Sequence, residues 1–223
     1  MRITGVEAML IEMPLAAPYT IAYETVSRAS NILLRIETDR GPNGFGCAAP
    51  DRAVTGETPQ GVLDCVAAAI EPVLVGGDPL RMAALLEDLR DPLVGQPAAM
   101  AMTDMALHDL LGKIAGLPLY RLLGGYRHSI ETSITVGIGT VEETVERADA
   151  FVRQGFRIIK LKGGRDVQDD IARVSKVREK IGICRDSLMR SSYGTVPGGN
   201  STAHRPVDDE VRGPEIRGDR DQR

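Results

Sequence analysis

The stretch Ile158-Ile159-Lys160-Leu161-Lys162-Gly163-Gly164 carries the residues of this chain best suited to chemistry. It reads as a short buried strand with two lysines at its C-terminal end. Side chains two apart on a strand point the same way. Lys160 and Lys162 therefore share a face with Ile158, while Ile159 and Leu161 face the other side. Two ammonium groups held this close disfavour each other's charge. Such pairing is one way to favour the uncharged amine, the state in which a lysine acts as a general base. Taken alone, the pair also reads as two solvated surface lysines, so the surrounding elements decide. Gly163-Gly164 lacks the spacing of a dinucleotide fingerprint or a P-loop and reads as a tight strand-to-helix turn.

The pattern around the lysines alternates strand and helix. Glu131 to Ile138 reads as a strand and Thr140 to Gln154 as an amphipathic helix, opened by a Thr140/Glu143 capping box. Arg157 to Lys162 is a strand, and Asp166 to Lys180 a helix with Ile171, Val174 and Val177 on one face. This order indicates a parallel sheet with helical crossovers. The first part of the chain differs. Strands are expected over residues 3–13, stopped by Pro14, over 31–38 and from Phe45 to Ala49, with turn chemistry at Asp39 to Gly44. Helices follow at Thr58 to Leu74, Pro79 to Leu89, Pro97 to Ala115 and Leu119 to Leu123.

Composition bounds the function. The chain has 223 residues and a net charge of -4, so no basic field argues for nucleic acid or an anionic membrane surface. Trp is absent and aromatics are few, which weakens any base-stacking surface. Cys47, Cys65 and Cys184 are far apart, with neither metal-ligand spacing nor a disulfide pattern. No run approaches a membrane span, and the N-terminus reads as a strand rather than a signal segment. A soluble, cytoplasmic setting is the expectation.

Three stretches carry a resemblance. The first pairs Pro18-Tyr19-Thr20-Ile21-Ala22-Tyr23 with Val54-Thr55-Gly56-Glu57-Thr58; the second runs from Met105 through Gly116-Leu117-Pro118 to Gly124-Gly125; the third is Gly155 to Lys162. In this order they resemble the mandelate racemase and muconate-lactonizing branch of the enolase superfamily, and within it the dipeptide epimerases of the L-Ala-D/L-Glu type. The resemblance covers about residues 1–182. It implies an α+β capping domain over 1–125, an antiparallel meander plus helices, bearing two mobile loops. The first βαβα units of an incomplete (β/α) TIM-like barrel would follow over 126–182. It also implies abstraction of the proton α to a carboxylate, with a Mg²⁺ ion stabilising the enolate. By carry-over Lys162 is the acid/base, and Lys160 lies near the substrate carboxylate and assists it. Both stand at strand C-termini, where barrel enzymes keep their chemistry. Thr135, Ile21 and Glu24 are carried over as substrate-contacting positions. Glu24 stands where some related epimerases have a substrate-binding arginine. His108 reads as a helix-packing residue.

The departures are as informative. The family binds Mg²⁺ through carboxylates on the third to fifth barrel strands, yet the expected third-strand region, Ser187 to Gly194, has no Asp. From Ser191 to Arg223 there are 33 residues without Leu, Met or Phe, 11 of them charged, and the stretch over 183–223 reads as a disordered tail outside the family pattern. Asp208-Asp209-Glu210 belongs to that charged run rather than to a metal site. A closed barrel takes about 250 residues, and two strands are legible here. The expectation is therefore a fragment that binds no metal, is catalytically incompetent as it stands, and self-associates through its open half-barrel. Other readings are a muconate cycloisomerase, an N-acylamino-acid racemase, an o-succinylbenzoate synthase-like enzyme, or a non-catalytic remnant that only associates with other chains.

Overall fold

The computed structural model describes residues 1–182. The expected tail, the third-strand region and the carboxylates at 208–210 lie outside the described residues. The first sheet has the order β1-β2-β3, built from β1 (Ile3–Thr20), β2 (Thr25–Thr38) and β3 (Gly44–Ala48), all antiparallel. Alternation on β2 decides its faces. Ile32, Leu34 and Ile36 are fully buried, while Arg35 between them turns outward to the carboxylates of Glu7 and Glu37.

Pro14 does not stop the first strand, which runs on to Thr20. β1 is an edge strand, where a residue lacking an N–H removes no ladder bond on the open side. The pairing absorbs the irregularity as a register shift between Pro14 and Tyr19. β2 begins correspondingly early, at Thr25, whereas β3 pairs only with Ile32 to Ile36. The result is a two-stranded hairpin that extends past the three-stranded sheet and carries Ile21 to Glu24 at its tip.

Helices cover the buried face of the sheet. The segment expected as one helix over Thr58 to Leu74 is α1 (Pro59–Cys65), a π turn (Val66–Ile70) and α2 (Glu71–Leu74). Its buried residues Val62, Val66, Ile70 and Leu74 recur every fourth position. On a 3.6-residue helix that spacing drifts about 40° per step; the wider π turn rotates the stripe back toward the sheet. A 3₁₀ turn leads into α3 (Met82–Asp88), followed by α4 (Pro97–Ala115) and α5 (Leu119–Leu122). The backbone of α4 lies directly on β3. A Cβ at Gly44 would overlap the carbonyl of Ala106, and one at Gly46 the carbonyl of Met102. Gly116, at φ 65°, ends α4 in the left-handed conformation that favours glycine.

The remaining elements are β4 (Ser133–Val136), α6 (Val141–Arg153), β5 (Ile158–Leu161) and α7 (Val167–Ile181). β4 and β5 pair in parallel, with α6 as the crossover between them. Thr140 and Glu143 form the expected capping box. Val136, Ala148, Ile159, Leu161 and Val177 make a second apolar core, separate from the one beneath the first sheet. One expectation is corrected here: Ile171 is 54% exposed, and the inward face of α7 is Asp170, Arg173 and Val177. At about 100° per residue, Ile171 lies a quarter turn off that face. Among the described residues no single helix is long and apolar enough to cross a membrane.

Candidate active site

The register of the parallel pair builds the site. Thr135 is opposite Lys160, Val136 is opposite Leu161, and the Lys162 amide donates to the Val136 carbonyl at 2.9 Å. Ile159, Leu161 and Val136 point to the helices and are buried. Thr135, Lys160 and Lys162 therefore share the opposite face, which no described helix covers. Both lysines are half-buried and Thr135 is exposed. Strand alternation alone thus gathers the two cations and a hydroxyl at one strand end.

The hairpin tip reaches the same end of the sheet. The Ile138 amide donates to the Thr20 carbonyl at 2.8 Å, and a Cβ on Gly137 would meet the Thr20 backbone at 3.0 Å. Gly137 is what allows this close approach. The tip itself is closed by the Ile21 amide donating to the Glu24 carbonyl at 2.9 Å, and by a 3.0 Å contact between the Thr20 and Thr25 hydroxyls. Ile21 is buried and Glu24 is exposed. A neighbouring loop joins through the Tyr23 hydroxyl, which donates to Asp51 at 3.5 Å. Partial burial, and then the Asp51 carboxylate, raise the Tyr23 phenol above its ordinary pKa.

That second loop is more firmly held than its sequence suggests. Asp51 caps it by accepting from the amides of Ala53 (2.8 Å) and Val54 (3.2 Å). Glu57 is 2% exposed, and its carboxylate accepts from the Ala98 and Ala99 amides at 2.9–3.2 Å. A carboxylate on the first free amides of a 19-residue helix satisfies orphan donors and meets the positive end of the dipole. Glu57 ties the loop to α4, a role sequence reasoning missed because the partner lies 41 residues away. His108 turns back onto its own helix, 3.0 Å from the Asp104 carbonyl, in keeping with a packing role.

A shallow pocket of about 210 Å³ lies between the hairpin and α6, lined by residues such as Tyr19, Thr20, Gly137 and Arg147. Neither lysine lines it, so it is distinct from the lysine-bearing face. The described residues do not fit a divalent metal: among them no three His, Cys, Asp or Glu side chains converge.

A family model described as the mandelate racemase / muconate lactonizing enzyme N-terminal domain matches residues 4–124. The chain belongs to this family. Its relatives include the L-Lys-D/L-Arg epimerase of Desulforapulum autotrophicum, 40% identical over 82% of this chain and 52% of that protein. The L-Ala-D/L-Glu epimerase of Bacillus subtilis is 34% identical over 97% of this chain and 59% of that protein. Among solved structures, the dipeptide epimerase of Enterococcus faecalis, complexed with Mg and the dipeptide L-Leu-L-Tyr, superposes with a TM-score of 0.82 at 33% identity. That match covers 86% of this chain and 54% of the other. The chain spans about half the length of the curated relatives it matches. The α+β capping domain and the first parallel strands are the architecture these relatives share with it.

Proposed function

We propose that this chain supplies the N-terminal half of an isomerase of the enolase superfamily that epimerises dipeptides by moving the proton α to a carboxylate. One observation carries the reading: Lys160, Lys162 and Thr135 share the face of the parallel sheet that no described helix covers, at the strand ends nearest the hairpin tip. The dipeptide epimerases among its relatives support the substrate class. In this reading the Lys160 ammonium receives the substrate carboxylate. Lys162 is the base on one face: it takes the α-proton of one epimer, and in the reverse direction its ammonium form donates a proton to that same face. Thr135 offers its hydroxyl to the substrate, and Ile21 and Glu24 form the hairpin wall above it. Epimerisation also needs an acid on the opposite face of the substrate, which a complementary half of the barrel would bring.

Mg²⁺ belongs, in this proposal, to the whole enzyme rather than to residues 1–182. The division into a capping domain over 1–125 and a barrel portion over 126–182 is supported by the two separate apolar cores. In this reading residues 1–182 supply one side of the site, and among the described residues no helix covers the open sheet face.

The roles of the two lysines are separable by kinetics. The chain is joined in frame, after residue 182, to the C-terminal half of the Bacillus subtilis relative, and epimerisation of L-Ala-L-Glu is followed. Lys162→Ala should lower kcat by about 100- to 10,000-fold, the range for a lost general base. Lys160→Ala should act first on KM, since uniform substrate binding is what it contributes. A Lys162→Ala enzyme with unchanged kcat would refute the assignment.

A further inference from the structure

α7 presents a charged pair, not an apolar stripe, to the end of the lysine strand. Arg173 is 3% exposed and Asp170 8%, and their side chains form a direct ion pair. Arg173 Nη1 donates to the Lys162 carbonyl at 3.1 Å, and Asp170 Oδ2 accepts from the Gly164 amide at 2.7 Å. The pair thus grips the peptide on both sides of Gly163. A Cβ at Gly163 would lie 2.5 Å from the Asp170 carboxylate, so glycine is what lets that carboxylate sit against the strand end.

We infer that Asp170 and Arg173 are positioning residues: they fix the backbone of Lys162 so that its amine stands at the reacting carbon. The inference rests on the proposed role of Lys162. Three observations carry it. The pair contacts the chain at Lys162 and Gly164, flanking the close approach at Gly163. It occupies the inward face of α7, off which the apolar Ile171 lies. It also retains a cost, since Arg173 Nε is buried with no hydrogen-bond partner among the described residues. A buried ion pair is a poor device for stability, and apolar residues of similar volume serve that end as well or better. What apolar residues do not provide is two directed hydrogen bonds to one strand end. Proton transfer repays such fixing, because a misplacement of about 1 Å costs on the order of 100-fold in rate.

The test has two arms. In the full 223-residue chain, limited acetylation with acetic anhydride is mapped by mass spectrometry over its five lysines, Lys113, Lys160, Lys162, Lys176 and Lys180. Asp170→Ala combined with Arg173→Met removes both charges together and leaves no lone buried ion. It should raise labelling of Lys162 relative to Lys160 several-fold, with Lys113 and Lys176 unchanged. Gly163→Ala keeps both charges but pushes the carboxylate away, and should act in the same direction; it decides the matter if the double variant unfolds. In the joined chain, the double variant should lose kcat by on the order of 100-fold with KM nearly unmoved, and Arg173→Lys, which keeps a donor and the ion pair, should recover part of the loss. Unchanged Lys162 labelling in a folded variant, or a kcat that falls no further than in a surface control, would overturn the inference. A joined chain with all native residues and no turnover would instead refute the proposed function, and the labelling arm would still decide whether the pair holds Lys162.

Discussion

At the scale of residues, the lysine pair was legible and its supports were not. Period-two alternation predicts that Lys160 and Lys162 share a face; the register sets Lys160 opposite Thr135, and Leu161 between the two half-buried lysines is buried. No local sequence pattern marks Glu57, Asp170 or Arg173 as buried, and the last two stand only as an i,i+3 pair on a helix. Their burial comes from contacts that no local pattern encodes. Glu57 caps a helix 41 residues away, and Arg173 reaches a carbonyl 11 residues back. Glu57→Ala would leave two amides of α4 without an acceptor. The expected loss is about 1–3 kcal/mol, the cost of unsatisfied buried donors, measured by urea unfolding. Glu57→Gln, which retains an acceptor oxygen but not the charge, should cost less. Equal losses in the two variants would mean that the charge alone matters.

At the scale of elements, order and type were legible and extents were not. Turn residues at Asp39 to Gly44, the prolines that open α1 and α4, and the Thr140/Glu143 box all mark real boundaries. The hairpin was missed because Pro14 looks like a stop, and only its place on an edge strand makes it tolerable. That miss matters, since the extended hairpin carries Ile21 and Glu24 to the strand end. The π turn was invisible because helix and π turn share the same residue preferences, and only the fourfold spacing of buried residues betrays it. The glycines of β3 were read as turn and strand-start residues, but their function is contact. Gly46→Ala would drive a methyl into the Met102 carbonyl and separate β3 from α4. It should destabilise the capping domain by about 1–3 kcal/mol or more, as overpacking does, with a lower Tm in a thermal melt. A wild-type Tm would show that β3 and α4 separate freely.

At the scale of the molecule, two parallel strands with helices on one side leave a sheet face and two edges without described partners. Relatives of about twice the length share this half of their architecture. Unpaired edges beside half-buried apolar surface favour association, so the purified chain should run above its monomer mass in light scattering, increasingly so with concentration. A sharp monomer at all concentrations would argue that residues beyond 182 cover the face. The central claim is chemical: Lys162 is the base, and it works only in a complete site, because electrostatic stabilisation of the developing anion is usually the largest part of the rate. The most direct measurement is exchange of the dipeptide α-proton in D₂O, followed by NMR, for the 223-residue chain, the joined chain, and Lys162→Ala in each. No exchange is expected from the chain by itself, and in the joined chain Lys162→Ala should abolish exchange of the epimer whose α-proton faces Lys162. Undiminished exchange of both epimers by the joined chain after Lys162→Ala, or exchange by the 223-residue chain alone that Lys162→Ala removes, would contradict the account.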